Sequence, residues 1–144
     1  MSRSRTFATL SSCERQLAVR AVALLWFVRL GSRILPFRTV RAWLPMLARV
    51  RHLWGRDCEL SAERVGWAVA TMSRYVPGAT CLVRAMVADR LLVELGFPSE
   101  IRLGVVKDEH GRMQAHAWVE SGAQVVIGGA EAERFRPLRS LDLP

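Results

Sequence analysis

The chain has 144 residues, 51% of them hydrophobic and 24% charged, with a formal net charge of +8. That length is enough for one domain with a sizeable core, and the composition excludes a disordered chain. The charge is uneven: residues 1–56 hold eleven arginines against one acid, Glu14, whereas residues 57–144 hold ten basic residues against twelve acids.

Apolar periodicity predicts a first helix over residues 13–30, with Ser11 or Ser12 as its cap and Gly31 and Pro36 as its end. Its longest apolar run, Ala21 to Val28, lies between Arg20 and Arg29. A membrane-spanning helix needs about 20 apolar residues, so no transmembrane segment is expected. A second helix is expected over 40–53, with Pro45 in its first turn or kinking it. A third covers 62–75 with Ser61 as N-cap, and "VPGAT" (76–80) breaks it. The fourth runs from Cys81 to Leu95 and ends at Gly96. Its predicted buried stripe is Leu82, Ala85, Met86, Ala88, Leu92 and Leu95, with Arg84, Asp89, Arg90 and Glu94 outside it.

The period then changes from 3.6 to 2. Strands are expected over 100–106, 112–120 and 124–128, forming an antiparallel meander, and the tail reads as a short helical turn followed by coil. Helices followed by such a meander make an α+β fold. Three cysteines (Cys13, Cys58, Cys81), with no CxxC and no zinc-finger spacing, suggest neither a disulfide framework nor a structural metal site. That reading fits a reducing, cytoplasmic compartment.

Two residues carry candidate chemistry. With Thr80 as N-cap, Cys81 falls among the unpaired amides of a helix start, which favour negative charge on sulfur and can hold an oxyanion. Set against this, a lone cysteine is commonly a small core residue. His116 lies on the second strand, sharing a face with Gln114, Trp118 and Glu120. An imidazole held there can take a thiol proton and return it to a leaving amine. His52 and His110 read as solvated side chains, and Cys81, His110 and His116 lack zinc-ligand spacing, so no metal and no cofactor are expected. Trp43 and Trp54, flanked by arginines, are candidates for a partner-facing groove.

Cysteine at a helix start, then three strands with histidine on the middle one, is the order used by papain-like and transglutaminase-like enzymes. Residues 76–129 resemble the peptidase half of the lasso-peptide B protein, a bacterial leader peptidase of the transglutaminase-like superfamily. The resemblance rests on "PGATCL", the "GF" closing the helix, "RLGV", "AHAWVE" and "VIGG". It implies a cytoplasmic cysteine peptidase that removes the leader of a ribosomally made precursor before an ATP-dependent lasso cyclase closes the core peptide. Residues 1–75 show no strand pattern, so the chain resembles the stand-alone peptidase, which depends on a separate leader-recognition protein. The division expected is a basic helical extension, 1–60, and a peptidase core, 61–144.

Relatives in that family orient the histidine with an acid on the following strand. Here a two- or three-residue loop in "SGA" puts His116 opposite Gly129 or Gly128, with no carboxylate. Glu131 can reach back if the chain turns at the glycine pair, a backbone carbonyl or water can orient the ring instead, or the site is inert. Losing the orienting acid costs about 10⁴ in kcat in a serine protease without abolishing turnover. Acyl transfer would use the same residues as hydrolysis. The alternative from another class is an inert transglutaminase-like scaffold that binds an anionic partner through its basic helices. No nucleic acid is expected, because no helix-turn-helix glycine pattern or RNP motif accompanies the arginines.

Overall fold

Ser11 opens the first helix with a reciprocal capping box: its hydroxyl accepts from the Glu14 amide, and the Glu14 carboxylate accepts from the Ser11 amide. The computed structural model describes residues 9–47 and 58–137. Helix α1 (Ser12–Ile34) is followed by α2 (Phe37–Leu47), α3 (Ala62–Met72) with a 3-10 turn at Ser73–Tyr75, and α4 (Cys81–Glu94). Next come β1 (Glu100–Lys107), β2 (Met113–Ser121), β3 (Gln124–Ile127), the short α5 (Gly129–Ala132) and β4 (Arg136–Pro137). The sheet order is β3-β2-β1-β4, antiparallel throughout. The fold is α+β, as the change of period predicts.

Helix α1 does not stop at Gly31. It continues to Ile34 and ends at Leu35, which is extended (φ −118°, ψ 148°) ahead of Pro36, where a helical conformation would clash with the proline ring. Gly31 serves a contact instead: a Cβ there would lie 3.3 Å from Val40 Cγ2 on α2. Helix α2 begins three residues earlier than expected, because the Pro36 carbonyl accepts from the Thr39 and Val40 amides. Pro45 falls in its last turn, and the expected stretch 48–53, like Trp54 and His52, lies outside the described residues.

The core is built around α4, which packs against α1, α3 and β2. Val87, Ala88, Leu91 and Leu92 are fully buried, and so are Val83, Ala85 and Met86, so α4 is apolar on more than the one stripe expected of it. Each large side chain so buried stabilises the fold by roughly 1.5–3 kcal/mol. Glu94, expected outside that stripe, is only 6% exposed; its carboxylate takes Arg20 of α1 at 2.8 Å and Arg90 one turn away at 3.4 Å. The same core holds Leu17, Ala21, Leu25 and Val28 of α1 with Val65 and Val69 of α3, so it spans the boundary expected at residue 60. Gly66 lets α3 lie directly on β3, since a Cβ there would collide with the Val126 carbonyl oxygen.

One expectation is overturned. Cys13 and Cys58 form a disulfide, with their Cα atoms 5.6 Å apart and a sequence separation of 45. Cys13 lies in the first turn of α1 and Cys58 just before the Ser61 cap of α3; packing these two helices together brings their starts together, which no short spacing motif could announce. Beside the bridge, Arg64 of α3 pairs with Glu14 and lies over the Trp67 ring at 4.4 Å. The Ser11 amide first, and the Arg64 charge second, hold the Glu14 carboxyl below the usual carboxylate range.

Closing a loop of this length by a disulfide is worth on the order of 4 kcal/mol in chain entropy. Reduction, or Cys13→Ser, should therefore lower stability by about 2–4 kcal/mol, read from urea unfolding with and without reductant. Because the folded Glu14 pKa is depressed, its stabilisation is fully present above its unfolded pKa and is lost as pH falls through the folded pKa. Glu14→Gln should thus be less stable than wild type at neutral pH and show a smaller loss on acidification, measured by urea midpoints across the acid range.

Candidate active site

Three features build the site: the start of α4, the middle of β2, and the turn after β3. The Thr80 hydroxyl accepts from the Val83 amide at 3.3 Å, which fixes Cys81 as the first helical residue. With the Val83 amide capped, the Cys81 and Leu82 amides are the ones left without a helical acceptor beside the thiol. The preceding turn is braced from α1, where Arg29 Nε donates to the Pro77 carbonyl at 3.2 Å. Its guanidinium packs so closely over Gly78 (φ +76°) that a Cβ there would lie 2.8 Å from Arg29 Nε. With Cys13 and Cys58 bonded to each other, Cys81 is the free cysteine; it is half-buried and packs against the helical core.

Arg84 follows one turn later, on the same side of the helix by its i+3 spacing. Its Nε is buried without a hydrogen-bond partner. The sequence reading set Arg84 aside as an outward-facing charge. The signal that would have found it is its distance in sequence from Cys81, three residues, which is one helical turn.

His116 is 6% exposed on β2. Ala117 and Val119 face the helices and belong to the core, so the alternating His116 and Trp118 project from the other face of the sheet. Gly104, opposite His116 on β1, leaves room there. The imidazole stacks on Phe135 at 4.9 Å between centroids and lies 6.2 Å from the Trp118 ring. Trp118 Nε1 donates to Glu120 at 3.0 Å, and Glu120 also accepts from Arg102 Nε at 3.3 Å. Trp118 is thus buried beneath the outer face of the sheet, apart from the helical core.

The hairpin takes its two-residue form: Ser121 pairs with Gln124 and Glu120 with Val125, after which a bulge shifts Val119 onto Ile127. Strand β3 ends there, so His116 has no β3 residue opposite it. It meets the glycine turn through its ring, with Nε2 3.1 Å from the Gly128 carbonyl oxygen. Since a carbonyl only accepts, Nε2 carries the proton. In a neutral ring Nδ1 is then the nitrogen able to accept a proton from a thiol. Gly128 is required by geometry: its φ is +81°, and a Cβ would sit 2.9 Å from Trp118 Cβ and 3.0 Å from the Ala117 carbonyl oxygen. The chain turns at Gly128–Gly129, and α5, which contains Glu131, packs on β2. The Glu131 side chain lies outside the described residues.

The structure therefore packs the helix that begins with Cys81 against the strand that carries His116. His110 lies in the β1–β2 turn, its backbone amide donating to the Asp108 carboxylate at 2.9 Å. Near it, Lys107, Arg112, Gln114, Arg134 and Phe135 line an open cavity of about 490 Å³, whose Phe135 wall is the ring stacked on His116. Among the described residues no cluster of three or more His, Cys, Asp or Glu is placed to hold a metal ion.

A helix opened by a free thiol, packed on an antiparallel sheet whose inner strand bears a buried, carbonyl-anchored histidine, is the layout of the transglutaminase-like class. A family model described as the transglutaminase-like superfamily matches residues 18–140, and the chain belongs to that superfamily, which includes cysteine peptidases. Neither the curated proteins nor the solved structures yield a match. The match begins within α1, in keeping with a core that α1 helps to form.

Gly128→Ala should strain the positive-φ turn and displace the carbonyl from the ring. The expected result is a loss of about 1–3 kcal/mol in stability, together with loss of the Nε2-protonated tautomer signature in ¹⁵N NMR of His116.

Proposed function

We propose that the chain is a cysteine peptidase that removes the leader of a ribosomally made lasso-peptide precursor in the cytoplasm, working with a separate leader-recognition protein and an ATP-dependent cyclase. The observation that carries the reading is Cys81 itself, the one cysteine left free, at the capped start of the central helix of a transglutaminase-like chain. The motifs around it and around His116 add the resemblance to the leader peptidases. The cytoplasmic part no longer draws support from unpaired cysteines, since two of the three are bonded.

In this reading Cys81 Sγ gives its proton to His116 Nδ1 and attacks the scissile carbonyl, and the amides at the start of α4 hold the oxyanion. His116 returns the proton to the departing amine, leaving a thioester on Cys81. Water, deprotonated by His116, then hydrolyses the thioester and frees the thiol. Gly128 orients the imidazole, Glu131 is the candidate acid beside it, and Arg84 adds positive charge one turn from the thiol.

The exposed arginines of α1 and α2 favour a second reading, an inert scaffold that binds an anionic partner through its basic helices. Intact-mass analysis of the precursor, incubated with the protein and its recognition partner, discriminates the two. The peptidase reading expects cleavage by wild type, no cleavage by Cys81→Ala, and a fall of about 10²-fold or more with His116→Ala. Glu131→Ala should then slow cleavage if that acid orients the ring. Cleavage that survives Cys81→Ala would sink the peptidase reading, whereas precursor left intact but retained by the protein supports the scaffold.

A further inference from the structure

Helix α1 has two apolar sides. Leu17, Ala21, Leu24, Leu25 and Val28 fill the core, which accounts for one. The other runs along the outside: Val19, Trp26, Leu30 and Ile34 are 65%, 41%, 52% and 82% exposed. Their spacing of seven, four and four residues keeps them in one stripe, roughly 22 Å long at 1.5 Å per residue. Helix α2 adds Trp43, 51% exposed. Exposed apolar side chains scattered singly need no explanation, but four in one stripe along a helix do.

The charges around it are of one sign. Arg15, Arg33, Arg38 and Arg41 are exposed and make no ion pair among the described residues. Glu14, the sole acid of residues 1–56, is committed to the Ser11 amide and Arg64. A second copy of the chain would bring the same arginines face to face, so self-association through this stripe opposes its own charge. A protein partner needs a groove shaped to an outward ridge; a lipid surface needs no shape, only apolar side chains to bury and anionic headgroups for the arginines.

From this combination we propose that α1 and α2 dock the protein on an anionic membrane surface. Trp26, Leu30, Ile34 and Trp43 enter the interface, and Arg15, Arg33, Arg38 and Arg41 meet the headgroups. The helix lies in the plane of the membrane and does not cross it: no described helix is long and apolar enough to span. Each arginine near an anionic leaflet adds about 1 kcal/mol of attraction, which ties docking to headgroup charge and ionic strength. The proposal does not depend on the chemistry proposed for Cys81 and holds whether or not that chemistry occurs.

Co-sedimentation of the full chain with vesicles tests it. Wild type should bind vesicles of phosphatidylcholine mixed with phosphatidylglycerol, release at high salt, and ignore pure phosphatidylcholine. Trp26→Ser with Leu30→Ser, both at exposed positions, should weaken binding by about tenfold or more while leaving the urea midpoint unchanged. Failure to bind anionic vesicles would overturn the proposal. Binding that Arg33→Gln with Arg38→Gln abolishes but the apolar pair leaves intact would overturn the inserted face, and so would a dimer in light scattering that the apolar pair dissociates. Retention of an acidic amphipathic peptide in preference to the vesicles would assign the stripe to a protein partner and overturn it equally.

Discussion

Everything in this molecule is arranged by the enclosure of one helix. α4 is covered by α1, α3 and β2, with Val87, Ala88, Leu91 and Leu92 fully buried. A helix buried on most of its surface has little freedom to rotate or slide, because each buried side chain occupies a close-packed site. Its two ends are then set by polar contacts from α1: Glu94 is held by Arg20 at one end, and the turn before Cys81 is braced by Arg29 at the other. Both arginines come from the basic third of the chain. α1 is therefore part of the device that holds the candidate nucleophile in place.

The sheet shows the same economy on its two faces. Toward the helices it presents Ala117, Val119 and Ile127, and away from them it presents Trp118 and His116, whose ring stacks on Phe135. The bulge after Glu120 is what separates these roles at the site. It shifts Ile127 onto Val119, ends the β3 ladder, and releases the chain at Gly128 so that a backbone carbonyl, and not a strand neighbour, meets the imidazole. Orientation by a carbonyl needs no carboxylate and fixes the same tautomer that an acid at that nitrogen would fix.

The disulfide changes the chemistry of the whole cysteine set. An odd cysteine count with no local pairing reads as three free thiols; the structure leaves Cys81 alone with a reactive side chain, because the starts of α1 and α3 meet. That junction concentrates stabilising contacts in a small volume: the bridge, the Ser11–Glu14 capping box, the Glu14–Arg64 pair and the Arg64–Trp67 stack. The opposite, outer side of α1 is left apolar and rimmed by arginine, which is the side proposed to meet lipid.

Local rules sufficed wherever the deciding interaction was local. The Ser61 and Thr80 caps, the α4 limits, the glycine-turn hairpin and the change from helical to strand period were legible because a hydrogen bond or an alternation within a few residues decides each. So was the position of Cys81 at a helix start. Sequence reading failed where a distant neighbour decided. Gly31 looks like a helix terminator until Val40 is seen against it, and Glu94 looks solvated until Arg20 arrives from 74 residues away. Cys13 and Cys58 look unpaired until two helices pack. The face of the sheet from which His116 projects follows from which side of the strands the helices cover, and only the tertiary structure decides that.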